Sequence, residues 1–442
     1  MYRKRYDTLI IGGGISGLTA AYVSSNLGYQ TLLVEQSETL GGNNRSFANS
    51  NGRIFDYGHH ALDENRSHMT SNFFKRVLKN QYHRHTLSRG IALDDYLFDY
   101  NLPLKDWPKP LAMRFKPTAS QSNQPPNPTM DDLSQVYGKD FSDYSVNNIL
   151  ASYPSKQWAL QQGEPPESHL DYIYPWFFPR SADIQARDNE WEQYHDQMRL
   201  KNTQKILYPS NNGFQGFTDA IANACPSDFC TIETDGKKKS LQFNFSDENK
   251  HSIDSISLQG EEITFDRILW CAPIPALLAQ TGNPVKLKPL QQLILGNFEF
   301  NDDIECKYHE ILVGSLNHKI NRITFPGTLA KSHRKTLQVE FYFPQGEFSM
   351  SDEEWKRSWL ESLHTLGIIS NNNTICSYNL TNSIAGVVTK GNFQETSQLL
   401  MEKLEKLKGN ILMPFPIIGP ENINRIIPNV IANTTKLLRE GN

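Results

Sequence analysis

The pattern of apolar and polar positions opens on a short unbroken apolar run at residues 8–11. A helix-like stretch follows at 16–27, with Leu18, Ala21, Tyr22 and Ser25 on one side. Gly28 stops it, and a second apolar run at 31–34 ends at Glu35. Strands covered on both faces read as continuous apolar runs, so this opening predicts a β-turn-α-β unit with parallel strands. Farther on, residues 73–78 predict a short helix and 96–102 a strand. Residues 117–129, with four prolines among polar residues and no apolar period, predict an exposed loop. From 133 to about 207 the chain reads as helical and crowded with aromatics, among them Tyr174, Trp176, Phe177 and Phe178, which predicts a helical subdomain with an aromatic wall.

The second half returns to α/β character. Residues 213–224 predict a helix and 230–233 a strand; 240–246, 252–258 and 262–265 predict antiparallel strands, and 268–272 a buried strand closed by Pro273. Alternating segments between 311 and 343 predict a mixed or antiparallel sheet, the floor of a substrate domain. Residues 352–366 and 395–407 form amphipathic helical patterns, and a turn near Gly419 leads into a last helix at 423–438. The absence of a 20–50-residue repeat argues against a solenoid.

Composition narrows the class. The 442 residues suffice for a large domain or two to three interleaved ones. Lys plus Arg number 44 against 48 Asp plus Glu, a formal charge of −4, and this balance argues against a nucleic-acid partner recruited by positive field. Five cysteines without a C-x-x-C pair predict neither a disulfide framework nor a thiolate zinc site. His83 and His85, with His59 and His60, lack a carboxylate at zinc-like spacing; no metal is expected, and His-x-His is read as solvated surface. The glycines in the first apolar run are unlike a leader's core, and no stretch of 18 apolar residues occurs; a cytoplasmic protein without a transmembrane span is expected.

The strongest chemical signal is Gly12-Gly13-Gly14-Ile15-Ser16-Gly17 between the first strand and helix, with Glu35 closing the second strand. Gly12 permits the tight turn, Gly14 lets a pyrophosphate approach the backbone, and Gly17 lets helix and sheet pack closely. The pyrophosphate would rest on free N–H groups around Ile15 and Ser16, and Glu35, beside Gln36, would accept hydrogen bonds from a ribose diol. A second glycine turn follows at Gly41-Gly42-Asn43, with Arg45 in reach of phosphate. These features predict a dinucleotide site without separating FAD from NAD.

The opening stretch, Glu35, Leu40-Gly41-Gly42 and the later Gly52-Arg53-Ile54-Phe55-Asp56-Tyr57-Gly58-His59-His60 resemble the flavoprotein group of amine oxidases, protoporphyrinogen oxidase, phytoene desaturase and UDP-galactopyranose mutase. Similar segments recur at 208–214, where two asparagines stand where glycine is common, at 265–273, and from Gly419 into the last helix with Asn424. The resemblance implies non-covalent FAD bound in a Rossmann-like domain of the glutathione-reductase type, an α/β fold with an inserted mixed-sheet substrate domain and a helical subdomain. It implies FAD-domain pieces at 1–104 and 208–285, a helical subdomain at 105–207, a substrate domain at 286–394 and C-terminal helices at 395–442. Gly12, Gly14, Ile15, Ser16, Gly17, Glu35, Gln36, Gly41, Gly42, Asn43, Arg45, Tyr57, Gly58, His59, Gly419 and Asn424 are the implied cofactor residues.

On the substrate side, His60 matches the histidine of a turn beside the flavin, and Arg322 stands near the position where mutases place an arginine for substrate diphosphate. An internal pair of Arg322 with Glu340 is the reading favoured for that arginine. The late tyrosine and aspartate of the mutases are replaced here by Ala385-Gly386-Val387-Val388-Thr389-Lys390-Gly391. The expected activity is an FAD-dependent oxidoreductase moving hydride from a small substrate to flavin N5, with His60 and Arg322 as catalytic candidates. A non-redox flavin-dependent sugar mutase and a non-catalytic flavin-binding protein stand as alternatives. The partner is a small molecule, such as a nucleotide sugar, an amine or a polyene, and a homo-oligomer is compatible with the sequence.

Overall fold

The computed structural model describes residues 4–100, 102, 106–114, 204–246, 252–285, 291–344, 350–385, 390–405, 410–415 and 423–440, with short pieces between 131 and 148. The expected loop at 117–129 and most of the expected helical subdomain lie outside the described residues, as does Gly419.

The first apolar run is the Lys4–Ile11 strand at the centre of a seven-stranded sheet. It pairs in parallel with Thr31–Val34 on one side and Glu261–Trp270 on the other. Cys230–Glu233 adds in parallel outside Thr31–Val34, Ile411–Leu412 pairs with Glu261–Trp270, and antiparallel Ile253–Leu258 and Gln242–Phe245 finish the sheet. Alternate residues of each central strand feed different cores, as the pleat requires. Ile10, Leu33 and Leu269 pack under the Ile15–Asn26, Gln215–Ala224 and Ile423–Glu440 helices, while Leu9, Leu32 and Ile268 face the other layer with Ile256 and Trp270. This two-sided burial is what the unbroken apolar runs announced.

One expectation fails here for an instructive reason. The strands expected at 262–265 and 268–272 are a single strand, Glu261–Trp270. The polar pair between them reads as a break but is satisfied in place. Asp266 accepts from Arg5 at 2.6 Å, and Arg267 donates to the Leu438 carbonyl at 2.9 Å while lying over the Tyr29 ring.

The second sheet has strand order Ile375–Ala385, Gln291–Phe300, Thr336–Pro344, Arg322–Thr324, Glu310–Val313, Arg89–Leu93 and Tyr96–Asp99. All its pairings are antiparallel except that of Glu310–Val313 with Arg89–Leu93, so the sheet is mixed. Two of its strands therefore come from within residues 1–104. Its two faces differ chemically. Ile294, Phe298, Ile311, Ile323, Val339 and Phe341 form a core with Trp355, Trp359 and Leu363 of the Asp352–Thr365 helix. Residues directly opposite in the register share a face, so Arg322 lies beside Glu340, and Glu310 beside Arg89, on the other side with Asn297, Glu299 and Gln338.

That polar face meets the loop after the first glycine turns. Arg53 donates to Glu299 at 2.9 Å, Asn49 to the same carboxylate at 2.8 Å, and Gln338 to the Asp56 carbonyl at 2.7 Å. His85 corrects another expectation. It is buried, not solvated, because it lies on the Tyr82–Thr86 strand, bonds the Leu329 carbonyl at 2.8 Å through Nε2 and packs against His309. Among the described residues, no helix is long and apolar enough to cross a membrane.

Candidate functional site

The glycine turn has the steric properties its spacing calls for. Gly12 holds φ +106°, and a Cβ there would sit 2.9 Å from the Ala272 backbone nitrogen. A Cβ on Gly17 would lie 1.8 Å from the Gly12 carbonyl oxygen, so helix and turn could not approach as they do. Gly14 is different: a Cβ would meet only the Gly42 Cα, at 3.9 Å, leaving open space in front of the Ile15–Asn26 helix. Gly14 is the N-cap of that helix and supplies no side-chain cap. Ser16 Oγ, buried in its first turn, has no hydrogen-bond partner among the described residues. Unclaimed helix donors, an orphaned hydroxyl and room before Gly14 suit a phosphate.

The second glycine turn closes this cradle. Gly41 N–H donates to the Gly13 carbonyl at 2.8 Å, and Gly14 and Gly41 form a parallel bridge. Glu35 stands at the end of its strand, its carboxylate accepting from Gly13 N–H at 2.6 Å and Ser37 N–H at 2.8 Å; Gln36 beside it is exposed. Arg45 donates to the Gly42 carbonyl at 2.9 Å and lies over the Tyr57 ring, 5.1 Å from its centroid. Asn424 is buried in the first turn of the last helix, where its carbonyl accepts from Thr70. The structure thus brings Gly12 through Gly17, Glu35, Gly41, Gly42, Asn43 and Arg45 into one cradle.

Beyond it, the Gly58-His59-His60 turn spans the two sheets. His60 donates through Nε2 to the Asn43 carbonyl at 2.9 Å and stacks near Phe214, with centroids 5.4 Å apart, so it is tied to the second glycine turn. Gly58 takes φ +107°. His59 turns the other way: its backbone N–H donates to Glu340 Oε1, and its Nε2 lies 3.2 Å from Glu310 Oε2. Glu310 is in turn gripped by Arg89, and Glu340 Oε2 stands 4.0 Å from Arg322 Nε. The expected Arg322–Glu340 pair is therefore present as an ion pair.

Burial pushes the His59 imidazole down to about 3 despite the pull of Glu310. For Glu310, burial acts upward, but Arg89 first, then His59 and Arg322, outweigh it and hold the carboxyl at about 2. Both groups bind fewer protons folded than unfolded, so both contribute stability that is present above their ordinary values and is lost as pH falls toward the folded ones. For His59 the window runs from its ordinary 6.5 down to about 3, and for Glu310 from 4.5 to about 2. Urea unfolding at stepped pH is expected to show stability falling below pH 6.5, by about 1.4 kcal/mol per pH unit for each proton taken up on unfolding. His59→Gln should remove one proton's share of that slope, the rest staying with other imidazoles that burial holds down, His309 at about 4 among them; an unchanged slope would mean that His59 takes up no proton on unfolding in this range.

Asp56 anchors a third piece. It is buried and accepts from Tyr208 Oη at 2.7 Å, Phe214 N–H at 2.9 Å and Ser46 Oγ at 2.6 Å. Burial raises its pKa over the lowering effect of His60 and these donors. The 208–214 turn it holds keeps the left-handed backbone that glycine usually supplies. Asn212 takes φ +59° and Gly213 φ +61°, and asparagine tolerates that conformation. Glu310 and Arg89 were missed by sequence reasoning; the available signal was one charged residue at the end of each apolar strand.

A family model described as an NAD(P)-binding Rossmann-like domain matches residues 10–77, the segment that builds the cradle. The reduced form of a UDP-galactopyranose mutase superposes with a TM-score of 0.66 at 15% identity, covering 98% of this chain and 96% of that one. The chain therefore shares the whole fold of that mutase, with an NAD(P)-binding Rossmann-like segment at its start. The same fold is seen in a protein from Exiguobacterium sp. 255-15 provisionally named protoporphyrinogen oxidase (TM-score 0.65, 14% identity, full coverage of both chains). It recurs in a CLA-producing fatty acid isomerase from P. acnes (TM-score 0.59, 13% identity, 98% of both). In sequence, a UDP-galactopyranose mutase of Mycoplasma genitalium is 28% identical over 165 residues, which is 35% of this chain and 40% of that protein's length. An α/β Rossmann-like domain and an inserted mixed sheet are both present.

Proposed function

We propose that the protein binds FAD non-covalently and acts as an oxidoreductase on a small organic substrate, by hydride transfer to flavin N5. The observation that carries this reading is the cradle: open space at Gly14, the orphaned Ser16 hydroxyl and Glu35 at the end of the second strand, all at one helix start. When bound, FAD supplies the electron acceptor, and the protein positions the substrate and excludes competing reactions. Gly14, Ile15, Ser16 and Gly42 would line the pyrophosphate, Glu35 would turn a carboxylate oxygen to the ribose, and Arg45 would lend positive charge from the second turn. The Gly58-His59-His60 turn, pinned to Asn43 on one side and to the second sheet on the other, would set the reacting end of the site. The protein is placed in the cytoplasm in this reading.

A second reading, a non-redox sugar mutase, is favoured by the 28% identity to the Mycoplasma genitalium mutase. Against it stands Arg322, which faces Glu340 and so is already neutralised by the chain's own carboxylate. Anaerobic mixing of FAD-loaded protein with amines, polyenes and nucleotide sugars separates the two. The oxidoreductase reading expects one compound class to bleach the oxidised flavin band. If none does, while dithionite-reduced protein converts a nucleotide sugar to an isomer of equal mass, the mutase reading replaces it.

A further inference from the structure

Three polar atoms are buried at the seam between the Gly58-His59-His60 turn and the second sheet without a hydrogen-bond partner among the described residues: His59 Nδ1, Arg322 Nε and Glu340 Oε2. They belong to one cluster, since Glu340 holds the His59 backbone N–H and pairs with Arg322, while Glu310 faces the His59 ring. The charges of this cluster balance. Arg89 and Arg322 stand against Glu310 and Glu340, which leaves no excess positive charge for an anion.

The protonation of His59 follows from its neighbour. An ionised carboxylate only accepts, so Glu310 requires the proton on Nε2, and Arg89 keeps Glu310 ionised and in place. Nδ1 is then a bare lone pair, buried and aimed away from Glu310. A buried acceptor left bare is costly, so Nδ1 calls for a donor that the described residues do not supply. His60 has no such opening at Nε2, which the Asn43 carbonyl takes.

We infer that His59, oriented by Glu310, is the side chain through which this turn binds its ligand, Nδ1 accepting a hydrogen bond from an uncharged N–H or O–H donor. The inference rests on the flavin reading above. Its two sources for such a donor are the flavin ring N–H and a hydroxyl of the substrate. In either case the ligand group at this point is neutral, and Arg322 serves the seam, not a substrate diphosphate.

Two isosteric variants separate the ring nitrogens. His59→Asn places an amide oxygen near Nδ1 and gives up the Glu310 contact, whereas His59→Gln places its amide near Nε2 and leaves nothing at Nδ1. FAD affinity is read by fluorescence quenching, and UDP-galactose is then added to the FAD-loaded protein and followed by flavin difference spectra. The Gln variant is expected to lose about tenfold in one of these affinities, and the Asn variant to retain more of it. Loss in the FAD arm identifies the flavin donor; loss only in the sugar arm identifies a substrate hydroxyl. A Gln variant that matches wild type in both overturns the inference. Where UDP-galactose leaves wild type unperturbed, an unchanged FAD affinity overturns it by itself. Should the Gln variant fail to fold, 15N-histidine NMR of wild type decides: an Nδ1 that carries a proton in the ligand-free protein contradicts the inference, and an Nδ1 signal that moves when FAD or UDP-galactose binds supports it. Wild type that binds no FAD would instead sink the flavin reading.

Discussion

Gly14→Val is expected to fold as the wild type does and to lose FAD affinity by at least about 10²-fold, roughly 2.7 kcal/mol. The new side chain enters space that the ligand-free chain leaves open, since its Cβ would stand 3.9 Å from the nearest atom, the Gly42 Cα. Gly14 has φ −75° and ψ −176°, extended backbone that valine adopts without strain. The loss would therefore come from excluding the phosphate, not from unfolding. Gly17→Ala makes the opposite case. Its Cβ would be 1.8 Å from the Gly12 carbonyl oxygen, a backbone atom that cannot swing aside. That variant is expected to lose about 3 kcal/mol or more of folding stability as well as the cofactor. Urea unfolding of the two proteins without FAD, followed by FAD titration of whichever remains folded, checks both. A Gly14→Val protein that binds FAD like wild type would show that the open space is not the phosphate site.

The second large effect is expected at Glu340. It is fully buried, accepts the His59 backbone N–H and balances Arg322 across the sheet. Glu340→Ala leaves an arginine in the seam without its counter-charge and a buried N–H without an acceptor, a combination expected to cost about 3–5 kcal/mol. Glu340→Gln keeps an oxygen for the N–H while removing the charge, and should cost less, roughly 1–3 kcal/mol. Adding Arg322→Met to Glu340→Gln should recover part of the loss, because the uncompensated charge goes with it. Equal destabilisation by Ala and Gln, with no recovery in the double variant, would mean that the ion pair contributes nothing beyond shape.

The cradle was legible in the sequence because every part of it is local. Glycines at fixed offsets, an apolar strand before them, an acid at the end of the next strand and the second glycine turn with its arginine all fall between residues 8 and 45. The parallel strands were equally legible, since Leu9 and Ile10, or Leu32 and Leu33, are buried on opposite faces and leave an unbroken apolar run. The second sheet was only half legible. Its Gln291–Phe300 strand, next to the edge, places Asn297 and Glu299 on a face that is polar yet covered, a pattern that reads as solvent-facing. That face is covered by Arg53, Asn49 and the Asp56 carbonyl, partners some 240 to 280 residues distant in sequence, and no local pattern reports them. A separation of 221 residues likewise hid the pairing of Glu310 with Arg89. Arg322 with Glu340 was legible because adjacent antiparallel strands bring opposite charges into register.

FAD occupancy of the Gly14 cradle is tested most directly by an absorbance spectrum of gently purified protein, followed by titration of the cofactor-free form with FAD and with NAD. The expected result is a bound flavin spectrum, released unchanged on denaturation and saturating at one FAD per chain, with NAD failing to displace it. Protein that carries no flavin and takes none up on titration, or that binds NAD in its place, would contradict it.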